Sequence, residues 1–133
     1  MAESGAGGRS CHEKVMIRRL INKFTWAWEG LVFVYKNEFS FRVELICAAI
    51  VLLAGLILGL GRIEWCIVLL GISVILSLEF LNTAIEKVLN FFHPNEHPEV
   101  KVIKDIAAGA VLIANLMALI IGALIFIPHF LRL

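Results

Sequence analysis

The sequence lacks a strong net charge, a cysteine framework and a phosphate-binding loop. It carries 12 Lys and Arg against 11 Asp and Glu, and this balance gives no reason to expect nucleic acid as a partner. The three cysteines, Cys11, Cys47 and Cys66, form no CxxC pair, so we interpret them as reduced thiols rather than metal or redox groups. The glycine-rich segment 5–10 does not have the GxxxxGK[ST] spacing of a phosphate loop.

Hydrophobic residues are what the sequence has in excess. They make up 60% of the 133 residues with a mean hydropathy of +0.90, whereas soluble domains are usually about 45–50% apolar. A chain of this length has room for three or four membrane spans of about 20 residues and for no separate soluble catalytic domain. We therefore expect an all-α membrane protein.

The N-terminal segment is predicted to lie outside the bilayer core. Residues 1–13 show no secretory signal and are expected to form a flexible tail, because they begin with a small, polar stretch. Residues 14–36 then mix apolar and basic residues at helical spacing, with Trp26 and Trp28 among them. This pattern predicts an amphipathic helix lying in the membrane interface; a basic helix that only packs on its neighbours is the alternative.

Three apolar runs follow, and we expect each to cross the membrane as a helix. They occupy residues 43–60, 65–92 and 106–130. A glycine-containing turn at 61–64 separates the first two runs. The polar loop 93–101, whose prolines are expected to stop any helix, precedes the third run. We interpret residues 14–133 as a single domain.

The basic residues predict the orientation of the chain. Ten of the 12 Lys and Arg lie before the first run or around the loop after the second run. Only Arg62 and Arg132 fall on the other side. Because basic residues concentrate in cytoplasmic segments, we expect the N-terminus and the 93–105 loop to be cytoplasmic.

Three polar residues interrupt the second apolar run. Glu79, Asn82 and Glu86 are spaced i, i+3 and i+7, which places them on one face of a helix. A charge inside a membrane span costs about 2.5–3.5 kcal/mol on insertion scales, so this face is expected to point toward a protein interior or a polar ligand. The function is therefore to be sought on this face.

Other charged residues collect toward the same end of the three runs. Glu38 and Glu44 lie at the start of the first run, and Lys104 and Asp105 lie at the start of the third. Converging carboxylates suit Mg²⁺ with phosphate oxygens, a further carboxylate suits a general base, and a lysine suits phosphate charge. Those are the parts of a phosphoryl transferase. The residues alone equally favour a proton- or ion-coupled transporter, because acids in membrane spans commonly relay protons.

A larger set of residues resembles a known family. The motif ExxNxxxE at 79–86, followed by His97 and by Lys104-Asp105, resembles the bacterial membrane diacylglycerol kinases, a family that includes undecaprenol kinases. The resemblance covers roughly residues 18–127 and includes Trp28-Glu-Gly-Leu, Asn37-Glu38 and Phe41-Arg42-x-Glu44. It implies a surface helix plus three transmembrane helices, assembled as a homotrimer. It also implies transfer of the γ-phosphate of ATP, with Mg²⁺, to a lipid alcohol.

The resemblance implies a role for each matching position. Glu79 would be the general base that takes the proton from the lipid hydroxyl, and Asn82 would orient Glu79 or a phosphate oxygen. Glu38 and Glu86 would hold magnesium ions that bridge the ATP phosphates. The other implied ATP contacts are Arg19, Trp26, Asn95, Glu96, His97, Lys104 and Asp105. The residues implied to line the lipid path include Phe41, Arg42 and Glu44.

One position departs from the family pattern. Asn90 stands where the family usually has an aspartate, four residues after Glu86. An amide keeps a hydrogen-bonding group and removes a charge, so we assign no role to Asn90.

The substrate and the function class are predicted with alternatives. The segment around Asn37 and Glu38 resembles the diacylglycerol branch, whereas the stretches 107–110 and 125–128 resemble the undecaprenol branch. Diacylglycerol is the preferred prediction. A small transporter with Glu79 as proton carrier and a non-catalytic assembly subunit are the competing classes.

Overall fold

The chain is built from helices. In the computed structural model the described residues are 6–94 and 97–131, with side chains described from residue 16 onward except that of residue 17. The helices of these ranges are α1 (Ala6–Asn37), α2 (Phe39–Leu58), α3 (Arg62–Phe92) and α4 (Pro98–Phe130), and no strand occurs there. The chain divides into two compact units, Met1–Asn37 and Glu38–Leu133. The predicted all-α class is confirmed.

Helices α2, α3 and α4 are long and apolar enough to cross a membrane. They contain 20, 31 and 33 residues, and their most apolar windows have mean hydropathies of 2.4, 2.1 and 2.8. At about 1.5 Å of rise per residue, even the shortest of them spans a hydrocarbon core of about 30 Å. A helix also satisfies its own backbone hydrogen bonds, which lipid cannot do. The three predicted membrane helices are confirmed.

Helix α1 is a continuous helix of 32 residues and forms the first unit. Its large apolar side chains include Leu20, Phe24, Trp26 and Trp28, all exposed. The helix begins at Ala6, so the segment 6–13 is helical backbone where a flexible tail was expected. Its location in the membrane interface stays a prediction.

The polar loop is shorter than predicted because Pro98 begins a helix instead of ending one. Proline is well tolerated at the first helical position, where its missing N–H would have no partner within the helix. The His97 ring caps this end, since its Nδ1 accepts the backbone N–H of Glu99 at 3.3 Å. Helix α4 therefore starts eight residues before the predicted membrane run at 106. The expectation that the prolines stop any helix was wrong for Pro98, whereas α3 does end before Pro94, at Phe92.

The GxxxG motif at the end of α2 contains two glycines with different structural roles. Such motifs predict close helix approach. A Cβ at Gly55 would lie 3.0 Å from the Trp65 ring and 2.9 Å from Leu60, so this glycine does permit close packing. Gly59 faces open space, but its φ of +69° ends α2 in the left-handed conformation that glycine adopts without strain.

The second unit has a polar end and an apolar end. The short connections 59–61 and 93–97 make consecutive helices antiparallel, so the start of α2, the end of α3 and the start of α4 meet at one end. We call residues 38–44, 79–92 and 98–115 the polar end, and residues 51–76 and 118–131 the apolar end. The apolar end holds a core of Leu60, Val68 and Ile125, packed against Val51, Trp65, Ile72 and Phe126.

Candidate active site

The site is centred on Glu79, a buried acid in the middle of α3. Its exposed fraction is 7%, and Thr83, one turn further along the helix, is exposed by only 4%. The carboxylates of Glu38, Glu44 and Glu86 all lie close enough to Glu79 to repel its charge, and the Ser40 hydroxyl hydrogen-bonds to it. Acids from the start of α2 and from α3 are thus brought together in one cluster.

Glu86 is held by its neighbour on the same face. The Asn82 Nδ2 donates to Glu86 Oε1 at 3.3 Å, so within the described residues this amide orients Glu86 and not Glu79. The other end of the amide, Asn82 Oδ1, is buried and has no hydrogen-bond partner in the described part of the chain. A buried acceptor of this kind is costly unless a donor or a cation completes it.

Glu38 stands just before α2 and is paired across helices. Its Oε1 lies 3.0 Å from the Lys87 ammonium on α3, in a partly exposed ion pair. Glu38 is thus held near the end of α3 that also carries Glu86. A pair of this exposure contributes little stability, and a stronger ligand can displace the lysine.

Carboxylate and amide oxygens are donors that would suit a magnesium ion shared with a phosphate ligand. No group of three or more His, Cys, Asp and Glu side chains in 6–94 and 97–131 forms a complete metal cage. Mg²⁺ does not need one, since it usually takes one or two protein carboxylates, with waters and phosphate oxygens as the remaining ligands. Glu38, Glu86 and the unpartnered Asn82 Oδ1 supply that kind of donor set.

Lys104 is positioned by Asn90, to which the sequence alone gave no role. Its ammonium donates to Asn90 Oδ1 at 2.6 Å and so connects α4 to α3. The amide accepts this hydrogen bond without neutralising the lysine, whereas a carboxylate at the same place would form an ion pair. The Lys104 ammonium has no acidic partner at this contact, and it would stabilise a phosphate group at the polar end.

Glu44 is paired with a residue that the sequence analysis missed. Asn115 Nδ2 on α4 donates to Glu44 Oε1 on α2 at 3.1 Å. The two residues lie at one end of a cavity of about 440 Å³ between α2, α3 and α4, which is otherwise lined almost wholly by apolar side chains. An amide in an apolar span is itself a signal of function, but nothing in the sequence names its partner 71 positions away.

The remaining predicted site residues fall in different places. Phe41 is buried, whereas Arg42 is exposed with its guanidinium 5.8 Å above the Phe39 ring. Asp105 is exposed on α4, and His97 serves as the cap of that helix. Arg19 and Trp26 are exposed residues of α1, in the other unit, and Asn95 and Glu96 lie outside the described residues.

Comparison with known proteins places this arrangement in a family. The sequence pattern of prokaryotic diacylglycerol kinase matches residues 25–126. The chain belongs to the prokaryotic diacylglycerol kinase family. Its enzyme class is therefore ATP-dependent lipid kinase, with three apolar helices that embed it in a membrane. A transporter is not supported.

Individual relatives carry two names. The chain is 38% identical to an undecaprenol kinase of Bacillus subtilis over 84% of its own length and 91% of that protein. It is 33% identical to a diacylglycerol kinase of Synechocystis over 86% of its length and 66% of that protein. It is 28% identical to a diacylglycerol kinase of Escherichia coli over 84% of its length and 92% of that protein.

Proposed function

We propose that the protein transfers the γ-phosphate of ATP, with Mg²⁺, to diacylglycerol and so forms phosphatidic acid. The observation that carries the proposal is the burial of Glu79 within a cluster of carboxylates. An apolar cavity adjoins this cluster at Glu44, and Lys104 lies on α4 at the same end of the unit. A lipid alcohol needs the apolar side, and a triphosphate needs the cationic and metal-binding side. The polar end of the three-helix unit has both the apolar side and the cationic, metal-binding side.

Glu79 is the proposed general base. Its carboxylate takes the proton of the lipid hydroxyl while the alcohol oxygen forms a bond to the γ-phosphorus. The bond between that phosphorus and the bridging oxygen breaks, and ADP leaves with the electron pair. The enzyme forms no covalent intermediate in this scheme. Its burial beside the carboxylates proposed to hold Mg²⁺ supports this role.

Glu38 and Glu86 are the proposed holders of Mg²⁺, helped by Asn82. These carboxylates would hold Mg²⁺ when it is bound, and the ion would supply positive charge against the phosphates. Asn82 holds Glu86 in place through the 3.3 Å hydrogen bond, and its own oxygen faces no protein donor among the described residues. Glu38 exchanges its Lys87 partner for the incoming ligand.

The nucleotide and lipid contacts complete the proposal. Lys104 stabilises phosphate charge while Asn90 holds it. The other proposed nucleotide contacts are Arg19, Trp26, Asn95, Glu96, His97 and Asp105. The proposed lipid path includes Phe41, Arg42 and Glu44. The proposed assembly is a homotrimer in the bacterial inner membrane, with the polar end in contact with the cytoplasm, where ATP is available.

Undecaprenol is the second candidate substrate. The specific observation in its favour is the 38% identity to the Bacillus subtilis undecaprenol kinase over nearly the whole of both chains. Both lipids present one hydroxyl on a long apolar body, so the carboxylate cluster serves either.

The test is phosphate transfer by the purified protein in mixed micelles. Labelled ATP and Mg²⁺ are supplied with diacylglycerol or undecaprenol at equal mole fraction, and labelled lipid is extracted. Phosphatidic acid as the faster product supports the first candidate, and undecaprenyl phosphate as the faster product supports the second. ATP consumption without a labelled lipid in either sample would contradict the proposed lipid phosphorylation.

A further inference from the structure

The cavity between α2, α3 and α4 has a polar group at only one end. Glu44 and Asn115 lie there, whereas its walls are formed by residues such as Val51, Ile72 and Phe126. Gly71 and Gly122 leave its walls recessed, because a Cβ at either glycine would meet nothing within 4 Å. A volume of about 440 Å³ lies within the usual range of about 300–1,000 Å³ for ligand sites.

One oxygen of the polar group lacks a donor. Asn115 donates a hydrogen bond to Glu44 Oε1. Glu44 Oε2 is buried and has no hydrogen-bond partner in the part of the chain that the structure describes. Leaving such an acceptor without a donor is expensive in an apolar environment. The missing partner must bring a hydrogen-bond donor and otherwise be apolar, which is the chemistry of a long-chain alcohol.

Glu44, which carries this oxygen, also lies near the proposed general base. Glu44 and Glu79 are close enough for their charges to interact, so an alcohol held by Glu44 lies beside the proposed base. Because the hydroxyl has one proton, it would donate to Glu44 when the lipid binds and turn to Glu79 once the phosphate is in position.

We infer that Asn115 is the positioning residue of the lipid site: it fixes Glu44 so that Oε2 accepts the hydroxyl of the lipid alcohol, whose hydrocarbon body enters the cavity. The inference rests on the proposed lipid kinase activity and adds a specific occupant for the cavity. Asn115 acts through Glu44 and does not take part in phosphate transfer. Its loss therefore weakens lipid binding and leaves ATP binding intact.

The first test separates lipid binding from turnover. In the full-length protein, Asn115→Leu removes the donor and keeps the branched side-chain shape. We expect the KM for diacylglycerol or undecaprenol to rise about tenfold, the effect of one hydrogen bond to a charged group. The kcat and the KM for ATP should change by less than about twofold. Asn115→Gln keeps an amide donor and should restore most of the affinity. An unchanged lipid KM in Asn115→Leu, or an equal rise in both KM values, would overturn the inference.

A second test needs no turnover, because the chain supplies its own probe and control. Cys47 lines the cavity and Cys66 does not, and both are exposed. In a Cys11→Ser background, the lipid alcohol should slow modification of Cys47 by a small thiol reagent and leave Cys66 unaffected. The methyl ether of the same alcohol, which cannot donate, should protect Cys47 about tenfold less well. Equal protection by the alcohol and the ether, or no protection of Cys47, would refute the site.

The third test asks what fills the cavity. Gly122→Leu projects into it and should raise the lipid KM, whereas Leu124→Phe adds bulk to an exposed side chain that does not line it. If a helix of a second copy occupies this space, Gly122→Leu will alter the oligomeric size instead of the lipid KM, and the inference fails. The wild-type transfer assay shows whether the proposed function fails as well. If the protein phosphorylates lipid normally but the alcohol does not protect Cys47, only the lipid site in the cavity is refuted.

Discussion

The two ends of the three-helix unit differ in the contacts that connect their helices. At the apolar end, Leu60, Val68 and Ile125 are buried against one another, and Gly55 lets the Trp65 ring approach the backbone of α2. At the polar end the connections between helices are made by polar side chains: Lys87 with Glu38, Asn115 with Glu44, and Lys104 with Asn90. Close packing stabilises one end, and hydrogen bonds arrange the other.

This difference indicates that stability and activity are separable. The carboxylates of Glu38, Glu44 and Glu86 repel that of Glu79, and two acceptors at the same end lack donors among the described residues. Such an arrangement is unfavourable until a ligand completes it, which is common at sites that bind charged groups. Changes at the polar end should therefore affect activity, and changes at the apolar end should affect folding.

The largest expected effect is the loss of the proposed base. Glu79→Gln should lower the rate of phosphate transfer by about 10²–10⁴-fold, since an amide cannot take the proton. Its unfolding temperature should stay the same or rise, because one of the four repelling charges is removed. Initial rates of lipid labelling and thermal unfolding in the same detergent measure the two quantities.

The matched control for Glu79→Gln is a Glu→Gln change at the apolar end. Glu64→Gln replaces an acid that accepts the Gly61 N–H at 2.7 Å and lies 3.5 Å from the His129 ring. It should retain nearly the wild-type rate. Normal turnover by Glu79→Gln would show that this carboxylate is not the base.

The second expected effect concerns folding at the apolar end. Gly55→Val places side-chain atoms against Leu60 and Trp65, where a Cβ alone already comes within 3.0 Å, and should cost about 1–3 kcal/mol of stability. The rate per folded molecule should remain within about twofold of wild type. Gly109→Val, at a glycine of α4 with nothing within 4 Å, is the control and should unfold at nearly the wild-type temperature. A fully stable Gly55→Val protein would contradict the packing at this end.

The smallest expected effect is at Asn90. Asn90→Ala removes the acceptor that holds the Lys104 ammonium, and losing one such hydrogen bond should raise the KM for ATP by about two- to tenfold, with little change in the lipid KM. Ser73→Ala is a suitable control, since that hydroxyl bonds only to the Leu70 carbonyl of its own helix among the residues described. An unchanged KM for ATP would mean that Lys104 does not need Asn90.

Much of the fold could be predicted from local patterns in the sequence. The apolar runs are long enough to identify three spans, and the i, i+3, i+7 spacing was sufficient to place Glu79, Asn82 and Glu86 on one face. The start of α4 was predicted too late, because a proline can end one helix or begin the next, and only the cap made by His97 distinguishes the two.

The pairing of side chains across helices could not be predicted in the same way. Glu38 and Lys87 lie far apart in the sequence, and so do Glu44 and Asn115, at 71 positions. Which side chains pair depends on how the three helices are rotated about their axes. Asn115 was overlooked for this reason, and so was the contact that gives Asn90 its place beside Lys104. The site roles themselves remain predictions.

The most direct test is metal binding by the acidic cluster in the presence of nucleotide. Mn²⁺ replaces Mg²⁺ at oxygen sites and can be followed by electron paramagnetic resonance, here with a non-hydrolysable ATP analogue and the full-length protein in detergent. We predict that Mn²⁺ is bound only when the nucleotide is present, and that the double variant Glu38→Gln/Glu86→Gln loses this bound Mn²⁺. The same amount of nucleotide-dependent Mn²⁺ on the double variant would contradict the claim that these carboxylates form the site.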